Sequence, residues 1–408
     1  MKYIKYILLI FLLICQTRIQ SQTINRGQLS IMPGTEVIIL DDVTNSTTGR
    51  FLNNGELSLF QDFTNNGLFS FSMRNNSGQT NFIGTAIQEI KGSQATVFYD
   101  VVFNNGTGVF AFDLRSNVHV FNEVVFSQGI INANVGQFVF EAGSSHNNAS
   151  DLSHIDGKVQ KIGSTGFVFP TGDKESYRNI EITDPANTTV FTGQYIQENS
   201  NTVHPHNLTV GIIDFIDTNE YWTLTRDQGD SDVIVALQWD TNTSSPELLS
   251  GAKTGIHIVR WDTSKGFWID EGGIVDEATR TVRTITNVSG FGVFALARVK
   301  EDLILPGGLV VYNFVSPDSN GKNDFFRIDG IERIPNNTME IFNRLGVKVY
   351  EAKDYNATTN VFKGFSDGRG TVDRGAQLPS GTYYYILRYE FNSQEVKKAG
   401  YLYISGKN

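Results

Sequence analysis

The sequence predicts an all-β protein, and its composition and patterning both support this. Phe (29), Tyr (15) and Gly (39) are abundant among the 408 residues, and aromatic and β-branched side chains favour a pleated, half-buried sheet. Short apolar–polar alternations separated by Asn and Gly recur along the chain, and no segment shows a convincing 3.6-residue period. We expect an N-terminal β-solenoid, a central β-sandwich and a C-terminal immunoglobulin-like β-sandwich.

Residues 1–22 have the pattern of a secretory signal peptide. Two lysines precede an apolar run over 7–14, and a short polar stretch follows it. This run is shorter than the roughly 20 residues that a membrane-spanning helix needs. We predict cleavage near Ser21 or Gln22; the alternatives are a membrane anchor and a lipoprotein attached through Cys15.

Cysteine content and charge narrow the range of functions. Cys15 is the only cysteine, so the chain that follows a cleaved signal peptide would contain no disulfide and no cysteine–metal site. Residues 23–307 contain 17 basic and 32 acidic side chains, a net charge of −15, whereas residues 308–408 contain 13 and 11, a net charge of +2. An acidic body argues against nucleic acid or an anionic membrane as partner.

Residues 23–157 are repetitive. Asn-Asn-Gly occurs in FLNNGELSLF (51–60), FTNNGLFSF (63–71) and VVFNNGTGVF (101–110), and apolar residues alternate around each triplet. Short strands with Gly/Asn corners favour a parallel β-helix, in which stacked Asn amides could bond from one turn to the next. Asn-Gly is also a strong type I′ turn signal, so a set of antiparallel hairpins remains an alternative.

Residues 158–300 predict a β-sandwich. Strand-like segments of four to eight residues alternate with turn residues, as in VIVALQWD (233–240), IHIVRWD (256–262) and SGFGVFALARV (289–299). All four tryptophans fall in this region. The charged and Pro-Gly-Gly-containing segment 301–312 is the predicted linker.

Residues 313–408 predict a separate small sandwich of about seven strands. Strands over 338–343 and 347–351 flank a turn in which Gly346 can adopt positive φ. The segment 382–391 alternates cleanly and has aromatic residues on both faces, which predicts a central strand. The loop 316–324 is rich in turn-forming residues.

These C-terminal segments resemble the type B sorting domain of the Bacteroidetes type IX secretion system, also called the gliding-motility-associated C-terminal domain. Leu345 stands where the family has Trp, and Asp318, Ser319 and Asn320 depart from its first motif. The residues that match the family's motifs, together with the closing Gly-Tyr pair, are Pro317, Gly321, Asn323, Asp324, Phe342, Asn343, Arg344, Gly346, Val349, Tyr350, Leu378, Pro379, Gly381, Thr382, Tyr383, Tyr385, Gly400 and Tyr401.

The resemblance implies recognition by the outer-membrane translocon of type IX secretion. It implies a chain that is secreted or displayed at the cell surface. Whether the C-terminal domain is cleaved or retained is left open by the sequence.

Candidate chemistry is sparse. Asp318, Asn320 and Asp324 could ligate Ca²⁺, although a self-bonded turn is favoured because no further oxygen ligand is suitably placed. His204 and His206 form a close pair without a third zinc ligand. The sequence lacks HExxH, GxSxG and a phosphate-binding Gly-Lys-Ser/Thr loop. We therefore predict no enzyme activity and no cofactor.

The leading hypothesis is a secreted or surface-displayed protein with a structural or adhesive role. The first alternative is a carbohydrate-binding protein in which Trp261 and Trp268 form a sugar-stacking platform, although core positions are favoured for both. Its partners would be surface polysaccharide or other cell-surface proteins. The second alternative is a cryptic polysaccharide-active enzyme.

Overall fold

The computed structural model describes residues 21–209, 212–284, 287–300, 304–318, 323–367 and 374–405. Strands make up 54% of the described residues and helices 3%, which confirms the all-β prediction. No helix formed by the described residues is long and apolar enough to cross a membrane. The predicted signal peptide lies outside the described residues, apart from Ser21 and Gln22.

The chain divides into two compact units. The first comprises Met1–Tyr195 and Thr225–Ser231, and the second comprises Ile196–Leu224 and Asp232–Asn408.

A parallel β-solenoid of about seven turns begins the first unit. Its strands are β1 (Gln22–Asn25), β2 (Gln28–Ile31), β3 (Glu36–Ile39), β4 (Asp42–Asn45), β5 (Arg50–Asn53), β6 (Glu56–Leu59), β7 (Phe63–Asn65), β8 (Leu68–Ser70), β9 (Gln79–Phe82), β10 (Gln88–Lys91), β11 (Thr96–Asn104), β12 (Phe110–Leu114), β13 (Val118–Gln128), β14 (Ile130–Phe140), β15 (Ser145–Asn147) and β16 (Ile155–Gly163).

Three stacks of parallel strands form the faces of the solenoid. One stack is β1, β4, β7, β10, β12, β14 and β16; a second begins β2, β5, β8; a third is β3, β6, β9, β11, β13 and β15. Val43 pairs with Phe63, which pairs with Ile90, so successive turns differ in length between 20 and 27 residues. The first two Asn-Asn-Gly triplets, which end at Gly55 and Gly67, lie twelve residues apart. This spacing is shorter than one turn, so the two triplets occupy different corners and do not mark the repeat.

The Asn-Gly pairs form corners of the solenoid and not hairpin turns, which decides between the two predictions for this region. Gly55 and Gly67 are absent from the glycines with positive φ that a type I′ turn requires. A Cβ at Gly55 would lie 2.4 Å from the Thr35 carbonyl oxygen, and one at Gly67 would lie 2.2 Å from that of Ser46. Glycine is needed there because the backbone of the preceding turn approaches closely.

Asparagine side chains stack from turn to turn, as the sequence predicts. Asn25 Nδ2 donates to Asn45 Oδ1, and Asn45 Nδ2 donates to Asn65 Oδ1, each at 2.9 Å. Asn65 Nδ2 then donates to the carbonyl oxygen of Ala95. We call Asn25, Asn45 and Asn65 the asparagine ladder; it satisfies amides that are fully buried at Asn45 and Asn65.

Phenylalanines fill the interior of the solenoid. The Phe82 ring lies 5.9 Å from that of Phe98, 5.5 Å from Phe103 and 6.4 Å from Phe112, and all four side chains are buried. Offset and edge-to-face aromatic pairs add to the stabilisation by burial. The interior is thus a continuous aromatic column.

The first residues of β16 continue the parallel ladder with β18 (Thr171–Asp173), and its later residues pair antiparallel. The predicted domain boundary at 157/158 falls inside β16, which pairs antiparallel with β21 from Val159↔Gly193 to Gly163↔Thr189. An antiparallel strand along this edge leaves fewer unpaired backbone groups for another chain to engage. The remaining strands here are β17 (Phe167–Phe169), β18 (Thr171–Asp173), β19 (Ser176–Tyr177), β20 (Ile180–Ile182) and β21 (Thr189–Ile196).

The central region is built from antiparallel strands. β29 is its hub and pairs with β22, β23 and β25, while β25 also pairs with β26 and β28 pairs with both β24 and β27. The strands are β22 (Ile213–Ile216), β23 (Tyr221–Gln228), β24 (Val235–Gln238), β25 (Ile256–Asp262), β26 (Phe267–Gly272), β27 (Ile274–Asp276), β28 (Thr281–Arg283) and β29 (Gly292–Val299). A four-residue helix, α1 (Pro246–Leu249), and 3₁₀ turns at Ser200–Thr202 and Lys253–Gly255 complete it.

The C-terminal region contains two sheets. The first has the order β30-β31-β33 and the second β32-β37-β36-β34-β35. The strands are β30 (Ile304–Leu305), β31 (Leu309–Val311), β32 (Phe314–Val315), β33 (Ile328–Asp329), β34 (Thr338–Phe342), β35 (Lys348–Lys353), β36 (Gly381–Phe391) and β37 (Gln394–Ile404), with a 3₁₀ turn at Ile331–Arg333. β36 pairs with β34 on one side and β37 on the other, so it is the predicted central strand.

Candidate functional site in the C-terminal region

Residues 343–346 (Asn-Arg-Leu-Gly) form a turn that the side chain of Asn343 stabilises. Asn343 Oδ1 accepts hydrogen bonds from the backbone N–H groups of Leu345 (2.9 Å) and Val347 (3.0 Å). Gly346 has a φ of 75°, which an L-residue adopts at a cost of roughly 1–2 kcal/mol. The turn presents Leu345, at the family's Trp position, with 81% of its surface exposed.

Residues 378–385, which have the family pattern Leu-Pro-x-Gly-Thr-Tyr-x-Tyr, supply core residues to the five-stranded sheet. Leu378, Tyr383 and Tyr385 are buried. A Cβ at Gly400 would lie 2.4 Å from Tyr385 Oη and 2.6 Å from its Cε1, so glycine is required where the tyrosine ring crosses the neighbouring strand. Several residues that carry the resemblance therefore belong to the core.

The first motif is only partly within the described residues, because Gly321 lies outside them. Ser316 N donates to the carbonyl oxygen of Asn323 at 2.7 Å, and Asn323 has a positive φ of 51°. A Cβ at Gly364 would lie 2.9 Å from Pro317 Cγ. Asp324 lies beside Pro317 in the wall of a cavity of about 350 Å³.

Residues of the motif segments 342–350 and 378–385 meet around one cavity of about 520 Å³. Asn343, Arg344 and Leu345 come from the turn, and Val349 follows on β35. The segment 378–384, which contains Pro379 and Gly381, forms the other wall. The sheet thus joins segments that lie about 35 residues apart in sequence.

An aromatic row crosses the outer face of the five-stranded sheet beside this cavity. Phe342 on β34 pairs with Tyr384 on β36, and Tyr384 pairs with Tyr401 on β37. Tyr403, which pairs with Thr382, lies next along β37. Tyr384 is 50% exposed, Tyr403 40% and Tyr401 36%. We call Phe342, Tyr384, Tyr401 and Tyr403 the aromatic row.

Sequence reasoning identified only part of this row. Phe342 and Tyr401 match the family motifs, as does Thr382 beside the row, whereas Tyr384 and Tyr403 do not. The alternation along 382–391 did place Tyr384 opposite Tyr383 and Tyr385. What it lacked was the cross-strand register that brings Tyr384 beside Phe342 and Tyr401.

The two tryptophans considered for sugar stacking lie in a hydrophobic core. Trp268 is fully buried, Trp261 is 9% exposed, and their ring centroids are 5.8 Å apart. The His204 ring stacks on Trp261 at 4.3 Å and 5°, so it covers one indole face. His206 Nε2 lies 2.7 Å from Ser200 Oγ, and burial lowers the pKa of both histidines.

Two buried ion pairs lie side by side on the β25–β26 hairpin. His257 Nδ1 lies 2.9 Å from Asp270 Oδ1, and Arg260 Nε lies 2.8 Å from Glu271 Oε1. Burial disfavours the charged imidazole, but the charge and hydrogen bond of Asp270 outweigh it and raise the pKa of His257. Asp270 and Glu271 also line a cavity of about 540 Å³ with Arg327.

The described residues include no group of three or more His, Cys, Asp or Glu side chains arranged to hold a metal ion. The Ca²⁺ alternative cannot be placed, because Asn320 lies outside them. Asp318 Oδ2 accepts a side-chain hydrogen bond from Ser316 Oγ at 3.2 Å.

The C-terminal strands form two sheets, with turns built from the motif residues and an exposed outer face on the larger sheet. Residues 309–404 match the family model of the CHU_C type IX secretion signal domain. This match confirms the sorting domain predicted from the sequence. It supports export of the chain by type IX secretion to the cell surface or beyond, and it implies that the domain interacts with the secretion machinery.

No curated protein matches the chain, and no solved structure matches it.

Proposed function

We propose that the exported chain has a structural or adhesive role at the cell surface, carried by its solenoid. The observation that supports this role most directly is the seven-turn parallel coil. Each residue of a solenoid turn stacks on its counterpart in the next, so outward side chains form continuous rows along the coil. Such rows suit contact with an extended surface better than with a small substrate.

One outward row illustrates this. Residues Glu36, Glu56, Gln79, Asp100 and Glu123 are consecutive register partners on the third stack of strands; we call them the acidic row. Neighbouring amides hold three of these carboxylates. Asn81 Nδ2 donates to Glu56 Oε1 at 2.8 Å, while Asn122 Nδ2 donates to Asp100 Oδ1 and Asn147 Nδ2 donates to Glu123 Oε1, each at 2.6 Å. The row is a fixed, negatively charged strip.

The carbohydrate-binding alternative loses its candidate platform, because Trp261 and Trp268 are buried. The proposal includes no catalytic step and no cofactor. Turnover of a polysaccharide by the purified chain would contradict that part of it.

The test compares attachment of cells that lack the chain with attachment of cells that produce it, on abiotic surfaces and on other cells. A variant with the four acidic-row carboxylates changed to amides should reduce attachment several-fold, with an unchanged amount at the cell surface. The matched control changes three exposed carboxylates of the second unit, Asp214, Glu247 and Glu277, to amides. Equal attachment with and without the chain would refute the adhesive role.

A further inference from the structure

We propose that the aromatic row is the surface by which the sorting domain docks onto the outer-membrane component of the type IX secretion machinery. The inference goes beyond the structural or adhesive role and does not depend on it. It rests on three observations, which concern the position of the row, its exposure and the charges beside it.

The first observation is position. Several of the motif residues that identify the domain serve its fold: Val349, Leu378, Tyr383 and Tyr385 are buried, and Asn343 and Gly346 shape a turn. A buried side chain cannot contact another protein. On the outer face of β34, β36 and β37, motif residues Thr382 and Tyr401 are exposed and Phe342 is half-buried beside them.

The second observation is exposure of apolar area. Exposed aromatic side chains in one cross-strand row make a contiguous apolar strip, and such strips mark interaction surfaces. Tyrosine contributes large, rigid contact area and is enriched among residues that dominate binding energy. The row also continues into the cavity of about 520 Å³, because Tyr384 lines that cavity together with Leu345 and Thr382.

The third observation is charge, which specifies the partner's chemistry. Arg344 follows Phe342 in the adjacent turn, and Lys300 Nζ lies 3.2 Å from Tyr401 Oη and 5.8 Å from its ring centroid. Among the described residues, neither cation has a carboxylate within ion-pair distance. Lys348, by contrast, is matched by Glu340 and Glu351, each at 2.8 Å. The complementary surface is therefore an apolar patch bordered by carboxylates.

The experiment uses the full chain, with its N-terminal segment, in a host with type IX secretion. The exported fraction is measured as the protein in the medium plus that cleaved by external protease on intact cells. Replacing Tyr384 and Tyr401 together by Ala should lower this fraction at least tenfold and leave the chain in the periplasm. Tyr384→Phe keeps the ring and should export like the wild type.

Phe365→Ala is the matched control, because Phe365 is a 42% exposed aromatic residue of the same domain that lies outside the row. It should export like the wild type. Thermal unfolding of the purified chains establishes that each variant is folded. If the double alanine variant unfolds early, Tyr384→Glu decides instead, since it places a carboxylate on an exposed site and should also lower export at least tenfold.

Export within twofold of the wild type for the folded variant with both Tyr384→Ala and Tyr401→Ala, or for Tyr384→Glu where that variant decides, would overturn the proposal. So would an equal defect in Phe365→Ala, or a concentration-dependent dimer that Tyr384→Ala abolishes without loss of export, which would assign the row to a second copy of the chain. A chain lacking residues 309–404 should stay in the periplasm; its export would instead challenge the export signal itself.

Discussion

The solenoid and the sorting domain both pack β-strands around an apolar core, but they pair their strands in different ways. The solenoid is parallel and repetitive, and each turn contacts mainly its neighbours through the asparagine ladder and the phenylalanine column. The sorting domain is largely antiparallel, and its central strand β36 pairs with β34 on one side and forms a long hairpin with β37 on the other. A destabilising substitution should therefore loosen only nearby turns of the solenoid, whereas in the sorting domain it should loosen the whole domain.

The largest expected effect is on the phenylalanine column. Phe82→Ala removes a fully buried ring that contacts three others, and we expect it to lower the free energy of unfolding by about 3–5 kcal/mol. Urea unfolding of the purified chain measures this. The same substitution at Phe110, which is 38% exposed on the same solenoid, should cost far less; equal losses would contradict an aromatic column as the core.

The asparagine ladder is the next test of local stability. Asn45→Ala removes the donor to Asn65 Oδ1 and to the Leu68 carbonyl oxygen. Leaving buried groups unpaired should cost about 2–3 kcal/mol. Amide hydrogen exchange should accelerate in the turns from β1 to β8 and stay slow in β14 and β16. Uniform acceleration along the coil would mean that the turns unfold as one unit, which would erase the contrast with the sorting domain.

The sorting domain should respond as a whole to a single clash. Gly400→Ala places a methyl group against the buried ring of Tyr385, and overpacking of this kind costs about 1–3 kcal/mol. Exchange should accelerate across β34, β36 and β37 together. Gly375→Ala is the control for backbone effects, since Gly375 has a positive φ but open space around it; acceleration confined to β37 would contradict the prediction.

The smallest effect is a pH dependence at the end of the solenoid. Lys161 is buried, its Nζ donates to the carbonyl oxygens of Glu141 and Ser144 at 2.8 Å, and burial lowers its pKa to about 8. Since the folded state holds this proton less tightly than the unfolded chain, stability should rise as the pH increases from about 8 towards 10.5.

The free energy of unfolding should increase by at most about 2 kcal/mol between pH 7 and pH 10. It is read as the difference in urea unfolding between the wild type and Lys161→Met, in which the rise should vanish. Lys158→Met changes an exposed lysine on the same strand and should keep the rise. A wild type whose pH profile matches that of Lys161→Met would show that the Lys161 pKa is ordinary.

Much of the fold could be predicted because its signals are local. Alternation and turn residues specify strands, and the Asn343–Gly346 turn follows from side-chain chemistry within four residues. The sorting domain could likewise be predicted, because its core and turn positions each accept only a few residue types. The turn length of the solenoid was not readable, because loops of different length separate the strands and hide the repeat.

Sequence alone determined an all-β chain with a C-terminal sorting domain, because both follow from short-range pattern and motif order. Tertiary structure decided what lies next to what. It turned Asn-Gly pairs into solenoid corners through the close approach of the preceding turn, and it buried Trp261 and Trp268. It also placed Tyr384 between Phe342 and Tyr401. Register between strands distant in sequence sets these contacts, and no single segment encodes it.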